Sequence, residues 1–378
     1  MLRQFRMELE VSTAMLAGLL ALGVGRVLLS LLPPGRVGSH RPRELPETLI
    51  ASLALGGWAL VTTQKLGATW LGSRDALVPG LAVAAALVGA ARLATRPHAF
   101  VPQHILPEPR RNLLAFLLLG GVALDSFGPV RIELTLERWI VSFTALGAAW
   151  TVFRALECAG RPAWIAALFT IFLPLDADES LKAASLSLLV ALLCTGLVGW
   201  IRRADARDRA IAALAAAASF GFDVRIALAG GAALLVTAHR NSRKESVKTL
   251  ALACLVVGAP AWLALADASA TWSVSSDATP LKRWLPLAMG ALALTLGVVF
   301  ARRNRSASPT EFFAPAGKEL VALAIVWTLP IALAGLAQLV PALGHASLAS
   351  ADVAALARAL VPAAVMFAAL ACVQPARP

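Results

Sequence analysis

The sequence predicts an all-α protein: a polytopic transmembrane helix bundle with no soluble domain. Three observations predict it. The chain is 58% hydrophobic and 15% charged over 378 residues, whereas ordinary soluble domains run near ~45–50% and ~25%. Its apolar residues gather into repeated runs of roughly 14–23, close to the ~20 that a helix needs to cross a hydrocarbon layer. The basic residues collect in the short loops between those runs, as cytoplasmic loops do.

Taken in order, the first apolar run covers 11–32 and follows the basic patch of Arg3 and Arg6. Arg26 interrupts it and no small-residue cleavage site follows, so it reads as an uncleaved first helix. Further runs fall at 49–64 and 77–91, then at 112–124, 139–156, 162–175 and 183–201. Beyond a special region at 210–238, the last are 247–266, 284–301, 319–341 and 353–372. Trp139, Trp164, Trp200 and Trp284 stand at run ends, where interfacial tryptophans belong. Counting the special region, about 11–13 membrane segments are expected.

The region 210–238 carries "SFGFDVRIAL", with Asp223 and Arg225 inside an otherwise apolar stretch. Both flanks, "RRADARDR" and "HRNSRKESVK", are rich in Arg and Lys and are expected on the cytoplasmic side. About 29 residues separate them, too few for two full crossings of ~20 residues plus a turn. The region must therefore enter and return as a re-entrant or broken hairpin, with Gly221 and Asp223 as the structural tip. Irregular backbone at such depth is tolerated where protein buries it or a wet cavity receives it.

Alternate assignment of the loops puts 21 of the 34 Lys and Arg on the cytoplasmic side. The formal charge of +12 thus has its place beside anionic lipid, and no nucleic-acid partner is expected. Cys158, Cys194, Cys254 and Cys372 are scattered, and the five histidines share no ligand spacing, so neither a disulfide framework nor a His/Cys metal site is predicted. The abundant Ala and Leu fit GC-rich bacterial coding. The expected location is the bacterial cytoplasmic (inner) membrane, as a multi-pass protein.

The same topology leaves two acidic loops outside. One is "DSFGPVRIELTLERW", with Asp125, Glu133 and Glu137; the other is "PLDADESLK", with Asp176, Asp178 and Glu179. They are joined by one pair of spans and so are expected close together. Clustered carboxylates suit a divalent cation or a general base, and equally suit the first turn of a helix, which they cap. No cofactor beyond such a cation is indicated. For Arg225, the fork geometry and permanent charge of guanidinium suit a lipid phosphate, while Asp223 beside it offers simple neutralisation at a buried turn.

The order of these features over 112–266 is span, acidic outer loop, two spans, second acidic loop, span, basic loop, short hairpin, basic loop, span. It resembles the membrane module of the GT-C class of glycosyltransferases, such as the protein O-mannosyltransferase and aminoarabinose transferase types. The most similar stretches are "ARDRAIAALAAAASFGFDVRIALAGGAALLVTAHRNSRK" and "FLPLDADESLKAASLSLLVALL". The resemblance implies a membrane core at 112–266, preceded by a three-span extension (1–111) and followed by a three-span region (267–378). It implies sugar transfer from a polyprenyl-phosphate-linked donor on the extracytoplasmic face. Asp125, Glu133 or Glu137 would then be the base, Asp176, Asp178 or Glu179 the helper, and Arg225 the lipid-phosphate contact. Two other readings stay open on the residues: a transporter or lipid flippase, and a non-catalytic scaffold of an envelope assembly.

Overall fold

A computed structural model of the chain describes residues 2–32, 45–73, 75–95, 181–238, 243–258, 315–339, 356 and 359–372. Among the described residues all regular structure is helical. In chain order the helices are α1 (Leu2–Leu31), α2 (Leu45–Leu71), α3 (Val78–Thr95), α4 (Leu181–Arg203), α5 (Ala206–Ser219) and α6 (Val224–Thr237). They continue with α7 (Arg243–Ala253), which runs into a π-helical segment (Cys254–Gly258), then α8 (Pro315–Leu339) and α9 (Val361–Cys372).

Among the described residues, three helical segments are long and apolar enough to cross a membrane: Leu49–Ala68, Val78–Thr95 and Gly317–Leu336. Helix α3 makes the physical case most plainly. Among its residues only Gly89 is buried, and Val83, Leu87, Val88 and Leu93 are exposed. An apolar helix left this bare needs an apolar solvent around it. The chain is a membrane protein by this criterion.

The bundle is organised around α4. Val190, Ala191, Leu193, Cys194 and Leu197 of this helix have no exposed surface, and a helix apolar on every side belongs in the centre. It packs against α5, α8 and α9, and more lightly against α6 and α2. One continuous apolar core joins Trp58 of α2, Leu193 of α4, Leu323 of α8 and Phe367 of α9. Hydroxyls within it satisfy themselves on their own helices, as Thr195 does on the Ala191 carbonyl (2.6 Å) and Thr328 on that of Ala324 (2.8 Å). Such back-bonding keeps these two hydroxyls from facing the apolar surroundings unpaired.

Helices α1 and α2 cross at backbone distance. A Cβ on Gly56 would stand 1.7 Å from the Ala21 carbonyl oxygen, and one on Gly25 would stand 1.8 Å from that of Ser52. Only glycine permits this approach.

The expected segments differ from the observed helices mainly at their ends. Helix α1 begins at Leu2, not near residue 11, and α2 continues to Leu71 rather than 64. Hydropathy marks where a chain is apolar, whereas a helix runs on through polar residues that favour it. At the far end of α2, Gln64 donates to the Asp75 carboxylate at 3.2 Å. The expected segments at 112–124, 139–156, 162–175 and 284–301 lie outside the described residues.

Candidate functional site: the tip of a half-length hairpin

Residues 206–237 form the expected hairpin. Helices α5 and α6 have 14 residues each and pack together, so each reaches about 21 Å at 1.5 Å per residue. That is well short of the ~30 Å of a hydrocarbon core. Small residues let them approach α4 closely. A Cβ on Gly196 of α4 would lie 2.8 Å from the Ala212 nitrogen, and one on Gly230 of α6 would lie 2.9 Å from Leu193 of α4.

These two contacts set the register. Helix α5 runs against the direction of α4, and α6 runs along it. Stepping back from Leu193 and Gly230 together brings Val224 level with Ser187, about six residues from either contact. The tip thus lies beside Ser187 in the first half of α4, and the other end of the hairpin lies at the basic end of the bundle.

The tip is closed by the backbone. The amides of Phe220, Gly221 and Phe222 donate to the carbonyls of Ala217, Ala218 and Ser219 at 2.9–3.1 Å, and the Asp223 amide also donates to Ser219 at 2.7 Å. Gly221 is buried in this turn, yet only Gly72 among the described glycines has positive φ. Its place at the tip therefore does not depend on a left-handed conformation.

Asp223 is the N-cap of α6, in extended conformation at φ −155°, ψ 111°. Its Oδ1 accepts from the Arg225 amide (2.9 Å) and from Arg225 Nε (2.9 Å), while Oδ2 accepts from Nη2 at 2.5 Å. Arg225 is 1% exposed and Asp223 8%. One carboxylate thus satisfies an orphan helix amide and grips a guanidinium side-on. Of the two roles the sequence left open for this pair, mutual neutralisation at a buried turn is visible in the geometry.

Sequence reasoning missed two features. Ser187 is 5% exposed and its buried Oγ has no hydrogen-bond partner. A lone serine in an apolar run gives no signal of this kind. The second is an ion pair at the basic end. Arg202, at the end of α4, donates through Nε to Glu319 Oε1 and through Nη2 to Oε2 at 2.9 Å. Glu319 has no exposed surface. The pair fixes the last turn of α4 to the first turns of α8, so the end of α4, the start of α5 and the start of α8 share one end of the bundle. Helix α7 begins at that end too, for its Leu250 meets Gly231 and Gly258 meets Phe220 at the tip.

Asp125, Glu133, Glu137, Asp176, Asp178 and Glu179 lie outside the described residues. Among the described residues, no group of three or more His, Cys, Asp or Glu side chains is arranged to hold a metal ion. Compared with known proteins, the chain matches no protein-family model, no curated protein and no solved structure.

Proposed function

We propose that the chain is a multi-pass protein of the bacterial cytoplasmic membrane that transfers a sugar from a polyprenyl-phosphate-linked donor on the extracytoplasmic face. The observation that supports this reading is the half-length hairpin with an arginine buried at its bend. Ionisable groups held within the membrane mark sites by default. In this reading the donor's phosphate reaches Arg225 by taking the place of the Asp223 carboxylate. The amides of the first turn of α6 would then serve the phosphate as well, as helix N-termini do. A carboxylate of the outer loops (Asp125, Glu133 or Glu137) takes the acceptor's proton. Asp176, Asp178 and Glu179 assist, alone or through a divalent cation.

The test is the lipid that copurifies with the protein. Polyprenyl phosphate should appear by mass spectrometry in wild-type extracts, and Arg225→Gln should deplete it about tenfold, the loss of one charge-assisted contact. Changing Asp176 and Asp178 to Asn and Glu179 to Gln together should keep the lipid and stop transfer. Wild-type protein free of any polyprenyl lipid would overturn the reading.

A specific observation also favours transport. The π-helical segment Cys254–Gly258 abuts the hairpin tip, and Pro330 interrupts the hydrogen bonding of α8, which packs on α6. Irregular helices beside a hairpin are the kind of place where transporters bind their cargo. Movement of a lipid-linked sugar across sealed vesicles, without its chemical conversion, would select this second reading.

A further inference from the structure

Three of the buried polar atoms without a hydrogen-bond partner belong to the basic end of the hairpin: Arg207 Nε, Arg209 Nε and Ser246 Oγ. All three are donors, and each comes from the first turns of α5 or α7. The residue Ser246 is only 1% exposed, so solvent does not account for its hydroxyl.

Their placement follows from packing. Gly258 lies against Ala217 of α5, and Leu250 against Gly231 of α6. Ser246, Leu250, Ala253 and Val257 recur at intervals of four, three and four, one face of a helix. Ala253 and Val257 are buried in this face, while Arg243, Lys244, Val247 and Lys248 are exposed. Ser246 therefore points from α7 into the hairpin. Going back from the Gly258–Ala217 contact along both chains, Ser246 comes about 17 Å toward the basic end, level with the first turn of α5. On α5 the line of Ala217, Ala213, Ala210 and Ala206 runs up the same side, with Arg207 and Arg209 flanking it left and right.

The three donors thus flank the start of a 14-residue helix, whose dipole also favours an anion. The Asp205 carboxylate caps this helix, accepting from the Arg207 amide at 3.0 Å, so an anion here would be held by the side chains and not by that amide. Asp208 and Glu245 stand against Arg207, Arg209, Arg243, Lys244 and Lys248, so the local charge is positive.

We propose that this end of the hairpin binds a phosphoryl group, seated between α5 and α7 by Arg207, Arg209 and Ser246. A tetrahedral oxyanion offers acceptors in several directions, as these spread donors require. Its source is either a lipid headgroup or a soluble phosphate. The site lies at the opposite end of the hairpin from Arg225 and does not rest on sugar transfer.

The experiment uses full-length protein, first in uncharged detergent with inorganic phosphate against chloride of matched ionic strength. It then uses nanodiscs of phosphatidylcholine with and without phosphatidic acid. Thermal stability should rise saturably with one of these probes, by mass action on the folded state. Response to inorganic phosphate assigns a soluble ligand, and response to phosphatidic acid alone assigns a headgroup. The double change Arg207→Gln and Arg209→Gln should weaken the response about tenfold or more. Ser246→Ala should weaken it less and, having lost only an unpartnered hydroxyl, should fold as well as wild type. Lys248→Gln, whose side chain is 74% exposed, should bind as wild type. No stabilisation by either probe would overturn the proposal. So would an equal loss in Lys248→Gln, which would mark unspecific charge attraction.

Discussion

Replacing Asp223 with alanine removes two things at once, and the structure allows each to be valued. The first is the N-cap of α6, worth ~1 kcal/mol in typical helices. The second is the partner of Arg225, whose guanidinium is 1% exposed and held side-on at 2.9 and 2.5 Å. Breaking a buried ion pair by deleting one member costs about 3–5 kcal/mol, because the other charge stays behind unpaired. The two losses overlap, since one carboxylate oxygen serves both the Arg225 amide and Nε. A total of about 4 kcal/mol is therefore expected. The double replacement Asp223→Ser with Arg225→Met should recover most of this, because serine still caps and methionine fills the space without charge. Stability is read from unfolding of the purified protein in mixed micelles, with helix content by circular dichroism as the signal. A single variant within about 1 kcal/mol of wild type would refute the account of the tip. So would a double variant no better than the single one.

The ion pair at the basic end predicts an asymmetry. Arg202 is 28% exposed on its side chain and Glu319 1%, so Arg202→Ala strands a buried carboxylate while Glu319→Ala leaves an arginine that can turn to water. The first should cost about 3–5 kcal/mol and the second roughly 1 kcal/mol in the same unfolding assay. Equal losses would show that Glu319 is not sealed in. Gly56→Ala should push α1 from α2, since its Cβ would meet a backbone carbonyl at 1.7 Å. Overpacking of this kind costs about 1–3 kcal/mol or more. The check is disulfide trapping of a cysteine pair across the α1–α2 contact, which should form in wild type and fail in the variant.

The hairpin was legible because it follows from a length. Too few residues separate two basic loops for two crossings, and the helices found there have 14 residues each. Neutralisation of Arg225 by Asp223 at a buried turn was legible as one of two roles, because the opposite charges stand two residues apart. The side-on, capping geometry of the pair was not, because spacing of two residues along a helix separates side chains rather than pairing them. The pair forms only because Asp223 sits before the helix in extended conformation. Arg202 and Glu319 were beyond reach for a different reason: they are 117 positions apart, and nothing local in either sequence names its partner. The tight crossing of α1 and α2 is of the same kind, as Gly25 and Gly56 gain meaning only against each other's helix. The outer-loop acids could be read as a chemical pattern, but their pattern alone does not separate a helix cap from a base.

The order Asp-Val-Arg at the tip can be understood as a solution to starting a helix away from water. The first four amides of any helix lack partners within it, and in apolar surroundings each is expensive to leave bare. A capping carboxylate answers that need but brings a charge into the same surroundings. An arginine two residues on, at N2, lies close enough for its own amide and its side chain to share that carboxylate, so the charge is cancelled by the residue being capped. The arrangement is self-contained and would hold the tip in place with no ligand at all. It also sets a condition on any anion that comes to Arg225. Such an anion must replace what Asp223 provides, both to the guanidinium and to the amide of α6, which a phosphate oxygen can do and a singly accepting neutral group cannot. In the proposed reading, a lipid phosphate is the kind of ligand whose arrival would leave the hairpin capped.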